Sequence, residues 1–240
     1  MGTAGLKISE TFVSLQGEGV LTGMPSWFVR LAGCNLRCAW CDTPYASWSP
    51  EGRLIDIDTL LGEARESKLS HAVVTGGEPM MFDRIGVLTE GLVRAGVHVT
   101  VETAGTIFRE IACDLMSISP KLSNSTPGPQ ESRDPLGVWR VRHEERRLNI
   151  EALNGLLETY PKHQLKFVVC VEKDLAEIES LLGKLRGWSP AQVLLMPEGV
   201  APSSEPGSVD RAWVVRACIE RGWRYCHRVH VELFGNHRGT

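Results

Sequence analysis

The sequence predicts an α/β fold built on a mainly parallel sheet, and three observations carry that expectation. Short β-rich runs alternate with helical patterns along the chain. Several of the apolar runs lack polar alternation, as strands covered on both faces do. A chain of 240 residues that is 42% hydrophobic and 23% charged can bury one large core. A single domain over 1–240 is therefore expected, with an irregular insertion at about 121–147.

In chain order, strands are expected at 8–15, 27–31, 72–75, 97–102, 115–119, 165–171, 193–196 and 224–231. Helical periodicity marks 57–66, 85–95, 149–159, 174–185 and 209–221. Asp56 and Asp58 open the first of these helices and Asp210 the last, where acids complement the helix dipole. Two segments look irregular, 121–147 and 200–208; the first holds Pro, Ser and Gly and then turns strongly charged at 140–147. That charged run reads as a solvated helix start or loop. The alternative is a basic edge that meets an anionic ligand or a partner protein.

A net charge of −3 gives no reason to expect a nucleic-acid surface. The chain shows no signal-peptide pattern and no apolar run of membrane-spanning length, so a cytoplasmic location is expected. Seven cysteines without a secretory signal argue against a disulfide framework. Cys113, Cys170, Cys218 and Cys226 stand apart inside or beside apolar patterns and read as core fillers.

Cys34, Cys38 and Cys41 are different, because they form a C-x3-C-x2-C triplet on one short stretch after the 27–31 strand. A [4Fe-4S] electron carrier takes four thiolates, one per iron. Three thiolates leave one iron open to a small molecule. Zinc fits poorly, since closed zinc sites use four ligands and no fourth Cys or His lies nearby in sequence. Trp40, beside the last cysteine, is placed to shield the cluster and pack on a flat ligand. A second motif, Gly-Gly-Glu-Pro at 76–79, follows a strand with paired glycines that let backbone approach a ligand closely.

The triplet resembles that of the radical S-adenosylmethionine superfamily, and further stretches identify the chain as similar to one family within it. Leu-Gln-Gly-Glu-Gly at 15–19, Cys-Asp-Thr-Pro at 41–44, Glu-Thr-Ala-Gly at 102–105, Ser-Pro-Lys at 119–121, Leu-Lys at 165–166, Met-Pro at 196–197 and Arg-Val-His-Val-Glu-Leu-Phe-Gly at 228–235 resemble 7-carboxy-7-deazaguanine synthases. The resemblance implies a partial (incomplete) TIM-like (β/α) barrel of the radical SAM type. It implies a lyase that converts 6-carboxy-5,6,7,8-tetrahydropterin to 7-carboxy-7-deazaguanine and ammonia by radical ring contraction, on the route to queuosine and other 7-deazapurines. The alternatives are a glycyl-radical-enzyme activase and an iron–sulfur redox protein.

The same resemblance implies residue roles. Cys34, Cys38 and Cys41 would hold the [4Fe-4S] cluster, and Thr43 would bind Mg2+. Leu15, Gln16, Gly17 and Glu18 would meet the pterin edge and Arg30 its carboxylate, and Thr75 would contact the substrate from the end of the next strand, with His230 and Thr240 flanking. Trp40, Gly77, Glu78, Glu102, Ser119, Pro120 and Lys121 would surround S-adenosyl-L-methionine, joined by Met196, Pro197, Glu198 and Gly199. No side chain is assigned as a dedicated acid or base. Ala104 and Met196 depart from the asparagine and glutamine expected there. The implied partners are the pterin, an electron donor such as flavodoxin or ferredoxin, and a second copy of the chain, with no nucleic acid or membrane.

Overall fold

The computed structural model describes residues 5–199 and 211–240. Nine strands form one sheet in the order β3-β1-β2-β4-β5-β6-β7-β8-β9. They are β1 Gly5–Leu15, β2 Pro25–Leu31, β3 Arg53–Asp56, β4 His71–Gly76, β5 His98–Thr103, β6 Leu115–Ile118, β7 His163–Val169, β8 Val193–Pro197 and β9 Arg224–Tyr225. From β2 to β9 every pairing is parallel. β1 runs antiparallel to both β2 and β3. The edges β3 and β9 do not pair, so the sheet is an open, incomplete (β/α) barrel.

The helices α1 Ile57–Glu66, α2 Ile85–Arg94, α3 Val138–Arg146, α4 Ile150–Thr159, α5 Asp174–Leu182, α6 Ala212–Arg221 and α7 Val229–Phe234 connect or flank these strands. Parallel neighbours need crossovers, and helices supply them by laying an apolar stripe on the sheet. Leu60 of α1, Leu88 and Leu92 of α2, Leu153 and Leu156 of α4 and Ile178 of α5 do this; each is almost fully buried against Val74, Val101, Ile118 and Phe167 of the strands. Asp56 caps α1 by accepting from the Asp58 N–H, and Asn149 caps α4 by accepting from the Ala152 N–H. Among the described residues no helix is long and apolar enough to cross a membrane.

The structure corrects the reading in four places. β3 was not expected; its four residues form an edge strand with Leu54 exposed, too short to show a pattern. Of the strand expected at 224–231 only Arg224–Tyr225 pairs, and 229–234 is helix α7. The charged run lies in α3 and is the mostly solvated helix that one reading allowed, but one of its residues, His143, is fully buried. The helix expected at 174–185 stops at Leu182. The irregular segment 200–208 and Asp210 lie outside the described residues. Cys218 and Cys226 are buried, whereas Cys113 and Cys170 are half-buried.

Candidate active site

A cavity of about 480 Å3 opens at the carboxyl ends of the parallel strands, where α/β sheets gather their ligands. Leu15 at the end of β1, Arg30 on β2, Thr75 on β4, Glu102 on β5, Ser119 just past β6, Lys166 on β7 and Met196 on β8 all line it. Parallel register explains the central part of this, since Arg30 is level with Thr75 on the neighbouring strand. Lys166 and Met196 stand further along β7 and β8, and Leu15 enters from antiparallel β1.

Cys34, Cys38 and Cys41 are the three cysteines that line the cavity. Their loop follows β2 directly. The Leu36 N–H lies 3.4 Å from Cys34 Sγ and Ser47 Oγ lies 3.1 Å from Cys41 Sγ. Burial pushes the Cys34 thiol up to about 12, and Cys38 rises for the same reason. Buried thiols of this kind stay protonated until a metal replaces the proton. Among the described residues no three donors converge on a single ion. In a cubane each thiolate binds its own iron, so sulfurs that face a common cavity fit a cluster with one iron left free.

The Gly-Gly-Glu-Pro turn locks this loop from beneath. A β-carbon on Gly76 would lie 2.4 Å from the Leu31 carbonyl oxygen, and one on Gly77 2.1 Å from that of Gly33. Only glycine lets the end of β4 press so close to the start of the cysteine loop, and the Glu78 N–H donates to the Gly33 carbonyl at 2.9 Å. The Glu78 side chain is fully buried and does not line the cavity. It accepts from the Met80 N–H at 3.0 Å, Thr103 Oγ1 at 2.7 Å and the Ala104 N–H at 2.8 Å. Burial raises its carboxyl, and these three donors oppose the rise. Ala104 thus contributes through its backbone what an amide side chain does not supply.

Opposite the cysteines lies a network of charges. Lys166 Nζ donates to Glu18 Oε2 and stands 3.9 Å from Glu102 Oε1. Glu18 Oε1 also accepts from Arg228 Nε at 3.1 Å, and Arg228 pairs with Asp42 beside the last cysteine. Burial would raise the Glu18 carboxyl, but Lys166 and Arg228 hold it well below the ordinary carboxylate range. Glu102 accepts from Thr75 Oγ1 at 2.9 Å and Gln16 Nε2 at 3.3 Å. Gln16, Glu18, Thr75, Glu102 and Lys166 therefore form one connected wall.

A third wall surrounds Arg30. Its Nε donates to Glu10 Oε1 at 2.7 Å, and Tyr45 O–H donates to the same oxygen at 2.8 Å. Phe12 and Phe28 stack at 4.8 Å, with the Arg30 guanidinium 5.6 Å from the Phe12 ring. The C-terminal tail closes this side. Arg238 donates to Glu10 at 3.2 Å and Glu51 at 3.0 Å, and its guanidinium lies 4.2 Å from the Tyr45 ring centroid. Asn236, His237 and Thr240 then reach the cavity lining.

His230 lines the cavity from α7 rather than from a strand. A β-carbon on Gly17 would lie 1.9 Å from His230 Nδ1, and the Val229 N–H donates to the Gly17 carbonyl at 2.9 Å. Glycine at 17 is what lets α7 dock on the loop after β1.

Of the expected site residues, Leu15, Gln16, Gly17, Glu18, Arg30, Trp40, Thr43, Thr75, Gly77, Glu102, Ser119, Lys121, Met196, His230, Thr240 and the three cysteines line this one cavity. Glu78, Pro120, Pro197, Glu198 and Gly199 do not; Glu78 is turned into the core by its three donors, and Pro197 and Gly199 line a small recess with Arg228. Lys121 donates to the Ser119 carbonyl at 2.7 Å and its Nζ lies 5.9 Å from the Trp40 ring. Roles for Lys166, Asp42, Tyr45 and Arg228 were not read from the sequence. Lys166 was signalled by the Leu-Lys stretch of the resemblance and by its being a lone charge in a strand that ends apolar, but neither gave it a role.

Residues 29–156 match the model of the Radical SAM superfamily. The chain is 46% identical to a 7-carboxy-7-deazaguanine synthase of Rhodopirellula baltica, over 98% of this chain and 89% of that one. A synthase of the same name from Halobacterium salinarum is 42% identical, over 96% and 91%. This chain belongs to the 7-carboxy-7-deazaguanine synthase family. The crystal structure of QueE from Escherichia coli has the same fold, with a TM-score of 0.70 and 26% identity over 94% of this chain and 95% of that one. Membership of the radical SAM superfamily implies an iron–sulfur cluster and S-adenosylmethionine. In this 7-carboxy-7-deazaguanine synthase family member, the triplet is the donor set that fits such a cluster.

Proposed function

We propose that this protein is a radical SAM lyase that converts 6-carboxy-5,6,7,8-tetrahydropterin to 7-carboxy-7-deazaguanine with release of ammonia, in 7-deazapurine biosynthesis. One observation carries the reading: the cysteine triplet, the wall that holds Gln16 and Glu18, and the separate wall of Arg30 all line a single cavity. When bound, the cluster and S-adenosylmethionine supply the hydrogen-abstracting radical chemistry.

The chain's own residues do the positioning. Arg30 takes the substrate carboxylate, a charged contact worth about 1.5–3 kcal/mol, and Glu10 and Tyr45 fix the guanidinium for it. Glu18, ionised between Lys166 and Arg228, accepts from the amino nitrogens of the pterin edge. Gln16 and Thr75, tied through Glu102, hold the ring in its plane. Trp40 and Lys121 line the side assigned to S-adenosylmethionine. Thr43 would offer one hydroxyl to Mg2+, and because a single hydroxyl cannot hold the ion alone, oxygens of substrate and water would have to complete its shell. The tail borders the cavity beside Arg30 and limits the approach of water to that contact. A cytoplasmic setting, a homodimer and a flavodoxin or ferredoxin as electron donor complete the proposal.

The test is anaerobic. Protein reconstituted with iron and sulfide is incubated with dithionite, S-adenosylmethionine, Mg2+ and the carboxytetrahydropterin, and the deazaguanine product is sought by mass. Product that falls when Mg2+ is withheld is expected. A full cluster that forms 5′-deoxyadenosine but no deazaguanine overturns the assignment.

A further inference from the structure

The loop that carries the three cysteines has neither helix nor strand of its own. Between β2 and β3 it consists of turns and bends, so its order must come from elsewhere. The Gly-Gly-Glu-Pro turn and a few turn bonds supply part of it, and the rest comes from 122–147, nearly all of the segment that looked irregular in sequence, 121–147. The Ala39 N–H donates to the Ser125 carbonyl at 2.8 Å and Trp40 Nε1 to that of Asn124 at 3.0 Å. Arg133 Nη2 donates to the Ala39 carbonyl at 3.2 Å. The Arg37 N–H donates to His143 Nδ1 at 3.1 Å, and the Arg37 guanidinium lies 3.9 Å from the Trp139 ring centroid. Arg37, Ala39 and Trp40 are three of the five residues between the cysteines, and every one is held by this segment.

We propose that residues 122–147 form a brace that holds the cysteine loop ready for its cluster, with His143 as the central positioning residue. The polar chain through His143 is complete. Because Nδ1 receives the Arg37 N–H, the ring proton sits on Nε2 and donates to Ser125 Oγ at 2.9 Å; that hydroxyl donates to the Leu122 carbonyl at 2.6 Å. His143 is wholly buried, so no water stands in when it is removed. Arg37 passes the constraint on, because its Nη1 donates to the Cys34 carbonyl at 2.7 Å. Supporting contacts of this kind typically govern metal retention by about 10–100-fold.

The inference rests on the triplet holding a cluster, and the experiment separates the two. Wild type, His143→Ala, His143→Gln, Trp139→Ala and, as a control at a distant buried histidine, His71→Ala are reconstituted anaerobically. Iron per chain, the rate of iron loss to a chelator and the melting temperature of the metal-free protein are measured. Gln can both accept from the Arg37 N–H and donate to Ser125. The expected result is roughly ten-fold faster iron loss for His143→Ala, recovery in His143→Gln, an intermediate rate for Trp139→Ala, and a wild-type rate for His71→Ala despite a lower melting temperature. Wild-type protein that takes up no iron removes the cluster reading itself. Loaded His143→Ala and Trp139→Ala that both keep iron as wild type does, or His71→Ala that sheds it equally fast, overturns the brace. If His143→Ala does not fold, Trp139→Ala against His71→Ala decides alone.

Discussion

Two residues show how the site spends folding stability on chemistry. Lys166 sits in a strand whose seven residues are all buried, and it stays charged because Glu18 and Glu102 face it. Breaking a buried pair from one side costs about 3–5 kcal/mol. Lys166→Met should lower the urea-denaturation stability of the metal-free protein by that order and abolish most product formation. Arg30→Lys keeps the charge but loses the planar fork that meets a carboxylate. KM for the pterin should rise about ten-fold or more with the melting curve little changed. Glu78 makes the converse point. Both carboxyl oxygens accept, so Glu78→Gln turns a donor group toward a buried N–H or hydroxyl and should cost about 1–3 kcal/mol in denaturant titrations, without Glu78 ever lining the cavity.

At the scale of elements, local signals were readable and long-range ones were not. The helices and central strands announce themselves because their apolar faces repeat within a few residues. The cysteine triplet and the Gly-Gly-Glu-Pro turn are equally legible, since each completes its chemistry within one contiguous stretch. Helix α7 was misread because Val-His-Val alternates as a strand does, and six residues are too few to separate the two periods. Glu18 with Lys166, or Arg228 with Asp42, are 148 and 186 residues apart; nothing in either neighbourhood names the other. The tail belongs to this class too. Arg238 fastens it to Glu10, Glu51 and Tyr45 at an exposed edge, where an ion pair is worth no more than about 1 kcal/mol. Arg238→Ala should leave the melting temperature nearly unchanged yet raise KM for the pterin several-fold, as steady-state assays would reveal.

For the whole molecule, pH is the sharpest probe. Burial holds His71 down to about 4, wedged between Ser26 and Thr100, and does the same to His143. Both are neutral in the native state and regain an ordinary value near 6.5 when unfolded. The unfolded chain therefore binds more protons between pH 6.5 and 4, so stability is complete above that window and is lost as pH falls through it. Melting of the metal-free protein should hold steady from pH 8 to 7 and drop progressively toward 4.5. His71→Gln, less stable at neutral pH, should show a shallower slope.

The docking of α7 on Gly17 also sets an order in time. The cysteine loop, the turn beneath it and the segment that clasps it are all synthesised by residue 147. The loop at 16–18, made almost first, can bond Met24 and Glu102 early, but Glu18 has no cation until Lys166 emerges and no lid until residues 228–230 follow. On the ribosome, the cysteine loop and the turn beneath it can meet while the segment 122–147 still waits for Val168, Asp174 and Glu177, and the loop at 16–18 for Arg228. The proposed cluster half thus has its brace complete by residue 177, ahead of the proposed substrate half, and the two become one site only once residues 228–230 fold.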